Sequence, residues 1–116
     1  MFPGLTGKRV LVADDERHIV RLIQVNLERQ GYEVTTVSDG REALAQLEAA
    51  DFDLAILDLM MPYMDGYELL TWIRTHERTA GIKVGLLLAG DPENYEAIRQ
   101  AEHRADWYWK KGDFVR

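Results

Sequence analysis

Four residues of this sequence could do chemistry together: Asp14, Asp15, Asp58 and Lys111. Asp58 follows the apolar run Leu54-Ala55-Ile56-Leu57 and precedes Leu59-Met60-Met61-Pro62-Tyr63-Met64-Asp65-Gly66. A carboxylate that ends a buried strand is costly unless something pairs with it. Asp14-Asp15-Glu16 ends a second apolar run, Val10-Leu11-Val12-Ala13, and Lys111 follows Trp107-Tyr108-Trp109. If these runs are parallel strands of one sheet, all the charges arrive at one edge, the edge where open α/β sheets bind ligands. Carboxylates in one cleft repel: two unit charges 4 Å apart interact by about 4 kcal/mol at an effective dielectric of 20. The remedies are a raised pKa or a bound hard cation. Ligands that are all oxygen favour Mg²⁺. Its open positions suit a phosphoryl oxygen, and Lys111 offers that group a point charge.

The elements that must position these residues alternate along the chain. After a Gly/Pro-containing lead-in over 1–7, residues 8–13 read as a strand buried on both faces. Ile19, Leu22, Ile23 and Leu27 give 17–30 a helical stripe, and Gly31 sits where a helix C-terminus wants it. The β-branched residues of 32–37 predict a second strand. Asp39 with Glu42 predicts a capping-box start to a helix that runs to about Ala50, burying Ala43, Leu44 and Leu47. Residues 52–57 are the third strand, 66–75 a helix with Leu69, Leu70 and Ile73 inward, and 82–89 the fourth strand. Asp91-Pro92 opens a helix carrying Ala97, Ile98 and Ala101, and 107–109 is a short fifth strand. The alternation predicts an α/β fold: right-handed βαβ units and a mostly parallel sheet with helices on both faces. Five residues follow Lys111, so a fifth helix is expected to be missing or truncated.

Composition narrows the function. A chain of 116 residues, 47% hydrophobic and 29% charged, reads as one ordinary globular domain, 1–116. A formal net charge of -6 argues against direct nucleic-acid binding. The absence of cysteine excludes disulfides, thiolate catalysis and Cys-based zinc sites. No apolar run approaches the ~18 residues of a membrane span, and the N-terminus does not read as a signal peptide. A cytoplasmic location is the expectation.

Val-Leu-Val-Ala-Asp-Asp-Glu, Leu-Asp-Leu-Met-Met-Pro-Tyr-Met-Asp-Gly and a lysine after the fifth strand, in that order, resemble the receiver domain of bacterial two-component response regulators. The resemblance covers about 8–113, nearly the whole chain. It implies a flavodoxin-like doubly wound five-stranded parallel sheet, order 2-1-3-4-5. It further implies a signalling switch rather than a turnover enzyme. Asp58 would accept a phosphoryl group from the phosphohistidine of a histidine kinase, or from a phosphotransfer protein. Asp15, Asp58 and the backbone carbonyl of Met60 would ligate Mg²⁺, with Asp14 acting largely through water. Lys111 would bind the phosphoryl oxygen, and Tyr108 matches the family's switch aromatic. The chain departs from the pattern in three places. Leu88 stands where the family has Thr or Ser. Lys111-Gly112 replaces Lys-Pro, often with a cis bond in the family, which is improbable before glycine. The stretch from Leu88 to Lys111 is about one residue longer than usual, so the fourth helix or its loop is expected to shift. Losing the hydroxyl at 88 would cost the phosphorylated state about 1.5–3 kcal/mol.

Blander readings compete at each position. Asp14 or Asp15 could be a helix cap with a favourable charge at the dipole. Asp65-Gly66 reads as a turn and helix start, Lys110 as a solvated charge, and His18, His76 and His103 as surface residues. Tyr67, Trp72 and Tyr95 read as packing or ordinary surface aromatics. Arg17, His18, Arg21 and Leu22 are candidates for a partner-facing helix surface. Trp107 and Trp109 share the strand face opposite Tyr108; with no fifth helix over them, one is expected to be exposed and to favour a homodimer. Departures at Leu88 and Gly112 also allow a pseudo-receiver that works as an interaction module without phosphate. A phosphohydrolase of the haloacid-dehalogenase type would want a second aspartate where Met60 stands, and a nucleotide-binding flavodoxin-like domain would want a Gly-rich loop after the first strand.

Overall fold

The structure is a computed structural model that describes residues 8–114; the lead-in over 1–7 lies outside them. Its elements are β1 (Arg9–Ala13), α1 (Arg17–Arg29), β2 (Glu33–Val37), α2 (Gly40–Ala49), β3 (Leu54–Asp58), α3 (Gly66–Thr75), β4 (Lys83–Leu88), a 3₁₀ turn (Pro92–Tyr95), α4 (Glu96–Arg99), β5 (Trp107–Lys110) and a last 3₁₀ turn (Lys111–Phe114). The five strands pair in parallel in the order β2-β1-β3-β4-β5. This is the doubly wound, flavodoxin-like arrangement expected from the sequence.

Strand alternation splits the core into two layers. Val10, Val12, Leu54, Ile56 and Leu87 face α1, where Ile19, Ile23 and Leu27 cover them. Leu11, Ala13, Ala55, Leu57, Leu86 and Leu88 face the opposite side, under Ala43 and Leu47 of α2 and Leu69, Leu70 and Ile73 of α3. Every residue of β3 is buried, which is why its sequence reads as a continuous apolar run.

Local chemistry sets the helix ends. Gly31 takes φ 92. It lets the Gly31 N–H reach the Glu28 carbonyl and the Tyr32 N–H the Leu27 carbonyl, each at 3.1 Å. That pair of bonds is a Schellman stop for α1. Asp65 and Glu68 form the full capping box of α3. At α2 the expected box is altered: Asp39 accepts from the Glu42 N–H at 2.8 Å, but the Glu42 carboxylate reaches back to the Ser38 N–H instead.

Two further expectations change. The helix after Pro92 is one turn long, not the length suggested by Ala97, Ile98 and Ala101. No residue of α4 is fully buried; only Ile98 packs against the core, and a short helix without an apolar stripe has little to stabilise it. Neither Trp107 nor Trp109 is left exposed. Both are half-buried, stacked on each other with centroids 5.5 Å apart, and Phe114 packs edge-on to Trp109. The Trp109 ring lies over Gly85, where a Cβ would fall 2.0 Å from a ring carbon. Among the described residues no α-helix follows β5.

Candidate functional site

Asp14, Asp58 and Lys111 meet at the C-terminal edge of the sheet. Asp14 follows β1, Asp58 is the last residue of β3, and Lys111 opens the turn after β5. Asp14 is 1% exposed and Asp58 3%. Between them stands the Lys111 Nζ, 3.1 Å from Asp14 Oδ2 and 3.4 Å from Asp58 Oδ2. Its hydrogen bond to Asp14 goes to Oδ1 at 3.2 Å, so Asp14 Oδ2 is buried with no hydrogen bond. Glu16 completes the group, its Oε1 accepting from the same Nζ.

The backbone around Asp58 is folded tightly against the site. The Met60 N–H donates to Asp58 Oδ1 at 3.3 Å. The Gly66 N–H donates to the Leu59 carbonyl at 3.0 Å. A Cβ on Gly66 would lie 2.6 Å from the Asp58 carbonyl oxygen, and one on Gly40 would lie 2.0 Å from that of Met64. Only glycine permits α2 and α3 to start this close to the loop. At the loop's tip Tyr63 takes φ 71, a left-handed conformation uncommon for a residue with a Cβ, and its ring lies under the Arg41 guanidinium at 4.0 Å.

Burial decides the electrostatics. Loss of solvent pushes the Asp58 carboxyl up to about 7, and the neighbouring Asp14 charge pushes the same way; Lys111 and the Met60 N–H pull it down without cancelling the effect. For Lys111 burial works against the ammonium, but the hydrogen bond to Glu16 and the charges of Asp58 and Asp14 outweigh it and raise its pKa. Glu16 is held below the usual carboxylate range, chiefly by its hydrogen bond to Lys111.

Residues 10–112 match the sequence model of the response regulator receiver domain. The chain belongs to that family. Among its relatives is the alkaline phosphatase synthesis transcriptional regulatory protein PhoP of Bacillus subtilis, 42% identical over 105 residues that cover 90% of this chain and 42% of PhoP. The chain thus spans less than half the length of that curated relative. The chemotaxis response regulator CheY4 of Vibrio cholerae superposes with a TM-score of 0.80 at 30% identity, covering 95% of this chain and 94% of CheY4. TrrA of Thermotoga maritima, solved in complex with Mg(2+)-BeF, gives a TM-score of 0.75 at 37% identity over 89% of this chain and 85% of TrrA. The chain is a receiver domain of two-component signal transduction.

The receiver domain brings the sequence-predicted residues together unequally. Asp14, Asp58 and Lys111 are in contact. Asp15 is exposed, and it joins a cluster in which oxygens of Asp14, Asp15 and Glu16 lie within 4.8 Å of one another. Neither aspartate caps α1: the N-cap is Glu16, without a side-chain bond, and Asp14 Oδ1 accepts the Glu16 N–H at 2.9 Å in the turn before the helix. Leu88 is fully buried among the apolar residues facing α2 and α3. The hydroxyl of Tyr108 accepts from the Ala105 N–H at 3.0 Å, placing its polar end on the chain before β5. The peptide bonds of the described residues are all trans, including Lys111-Gly112. The Lys110 side chain is solvent-exposed, as expected, and in addition pairs with Asp91 at 2.9 Å. Sequence reasoning missed the role of Glu16. Its position directly after the aspartate pair was the available signal.

Proposed function

We propose that Asp58 is the phosphoacceptor of this receiver domain and that Asp14, Asp15 and Lys111 serve the transfer. The observation that carries the reading is the pair of buried carboxylates, Asp14 and Asp58, with one lysine between them at the ligand-binding edge of the sheet. In the transfer an Asp58 carboxylate oxygen forms a bond to phosphorus, the phosphorus–nitrogen bond of a phosphohistidine protonated on its other ring nitrogen breaks, and that proton lets the imidazole leave neutral. A carboxylate is a weak nucleophile, so the chain contributes position and charge rather than covalent help. Lys111 faces the phosphoryl oxygens, and the Met60 N–H orients the attacking carboxylate.

The residues fit a hard cation. Asp14 Oδ2 is buried without a hydrogen bond, the clustered donors are all oxygen, and the excess of carboxylates over lysine leaves negative charge to neutralise. Mg²⁺ would be held by Asp15, Asp58 and the Met60 carbonyl, with Asp14 behind them. When bound it supplies neutralisation of the developing phosphoryl charge.

A histidine kinase or phosphotransfer protein is the donor in this reading, docking over exposed Arg17, Arg21 and Leu22 of α1. With a net charge of -6, the domain contacts proteins rather than nucleic acid, and it works in the cytoplasm. The half-buried Trp107 and Trp109 face is where a second copy would pack. Acyl phosphate at Asp58 adds charge and acceptor oxygens that bias such surfaces. The interaction-only alternative gains no support over this reading. Incubation with acetyl phosphate and Mg²⁺, followed by intact mass, tests it: one phosphoryl group is expected on the wild type and none on Asp58→Asn. Equal uptake by both, or none by either, rejects Asp58 as the acceptor.

A further inference from the structure

Lys111 has three donors, and three carboxylates take them: Asp14, Asp58 and Glu16. The ammonium is therefore saturated before any phosphoryl group arrives, and one contact must be released to free a donor. The three contacts differ in what release costs. Asp14 and Asp58 are buried, and a buried carboxylate stripped of its counter-charge is strongly destabilised. The Glu16 side chain is 48% exposed, so water can replace the lysine there at little expense. Glu16 is also held in place independently of Lys111. Its backbone N–H is bound to Asp14 and it is the N-cap residue of α1, so its backbone stays at the mouth of the site.

We propose that Glu16 is the resting partner of Lys111, a positioning residue that the phosphoryl group must displace, so that Glu16 sets through Lys111 how tightly the site holds a phosphoryl group. The inference rests on the phosphoacceptor reading and deepens it. Glu16 competes for the donor that the phosphoryl oxygen needs, and removing the competitor strengthens binding of a phosphoryl mimic. His18 also faces Glu16, its Nε2 3.8 Å from Oε2, and the Asp14 and Asp15 carboxylates lie beside it.

The test titrates beryllofluoride into Mg²⁺-saturated wild type, Glu16→Gln and Glu16→Asp, read by tryptophan fluorescence. Thermal midpoints are recorded alongside. Glu16→Gln is expected to bind about two- to fivefold tighter, the range of a half-exposed ion pair. Glu16→Asp keeps the charge but withdraws the carboxylate by one methylene, and it too is expected to bind tighter. In the metal-free protein, the Lys111 ammonium resonance is expected to be protected from exchange in the wild type and to lose protection in both variants. Binding equal to or weaker than wild type in Glu16→Gln overturns the proposal. So does tightening in Glu16→Gln alone, which would mark simple through-space repulsion. If the wild type itself takes up no beryllofluoride, the phosphoacceptor reading fails and this inference fails with it, a result distinct from either of the others.

Discussion

The burial of Asp58 makes stability depend on pH in a direction that can be worked out in advance. An ordinary aspartate has a pKa near 3.8, and in the folded chain loss of solvent and the Asp14 charge carry Asp58 to about 7. Between those values the folded state holds a proton that the unfolded state has released, so stability falls as pH rises. The contribution is complete below about pH 4 and gone above about pH 7. At about 1.36 kcal/mol for each pH unit inside that window, the loss between about pH 5 and pH 8 is about 2–3 kcal/mol. Between about pH 5 and pH 8 Glu16 and Lys111 add little to the slope, since Glu16 is lowered from 4.5 and Lys111 raised from 10.5. Asp58→Asn removes the titrating proton and keeps the shape. Urea denaturation of the metal-free wild type and Asp58→Asn, in chelator across that range, isolates the effect. The stability of the variant relative to the wild type should rise by about 2–3 kcal/mol between about pH 5 and pH 8. Saturating Mg²⁺ should flatten the wild-type curve, the cation replacing the proton. Parallel pH profiles for the two proteins, or a relative stability of the variant that falls over that range, would refute this account of the site.

Four other substitutions, one of them a control, probe the frame around it. Leu88→Thr puts a hydroxyl into a fully buried apolar position and should cost about 2–4 kcal/mol in urea denaturation, from lost packing and an unpaired polar group; a neutral result would mean that the hydroxyl finds a partner there. Gly66→Ala drives a methyl to 2.6 Å from the Asp58 carbonyl oxygen and should destabilise by about 1–3 kcal/mol. Gly81→Ala, whose Cβ would meet nothing within 4 Å, serves as the control and should stay within about 1 kcal/mol of wild type. Arg74→Met removes the guanidinium that ties α3 to the Ala80 and Ile82 carbonyls and to Asp106; a loss of about 2–3 kcal/mol is expected by the same assay, and a drop under 0.5 kcal/mol would show the clamp to be dispensable.

What could be read from the sequence was whatever depends on periodicity or on a residue's place at a strand end. β1 and β3 are buried on both faces, so their apolar runs announced them, and the first charged residue after each run marked the sheet edge. Parallel pairing then brought Asp14, Asp58 and Lys111 together without further information. What stayed hidden depends on side-chain reach between distant segments. Glu16 and Lys111 are joined across the mouth of the site, and Lys110 and Asp91 across the ends of β4 and β5; no spacing rule connects either pair. The length of α4 was hidden for another reason. Asp91-Pro92 is a sound start signal, but a start signal does not supply the buried stripe that sustains a helix, and Ile98 alone does not provide one.

The carboxylates and the lysine are held by different kinds of structure, and this bears on how the site can respond. Asp14 and Asp58 are carried at the ends of β1 and β3, which lie inside the sheet with a strand on each side and core on both faces. Moving either would disturb close-packed side chains in both layers, which cores resist. Lys111 comes instead from a 3₁₀ turn after the edge strand β5, whose residues are only half-buried, and its four-carbon stem reaches inward from there. Buried negative charge is therefore the fixed part of the site and its counter-charge the adjustable part. An incoming dianion is most cheaply accommodated by redirecting the lysine, and the contact of that lysine with the weakest claim to remain buried is the one with Glu16.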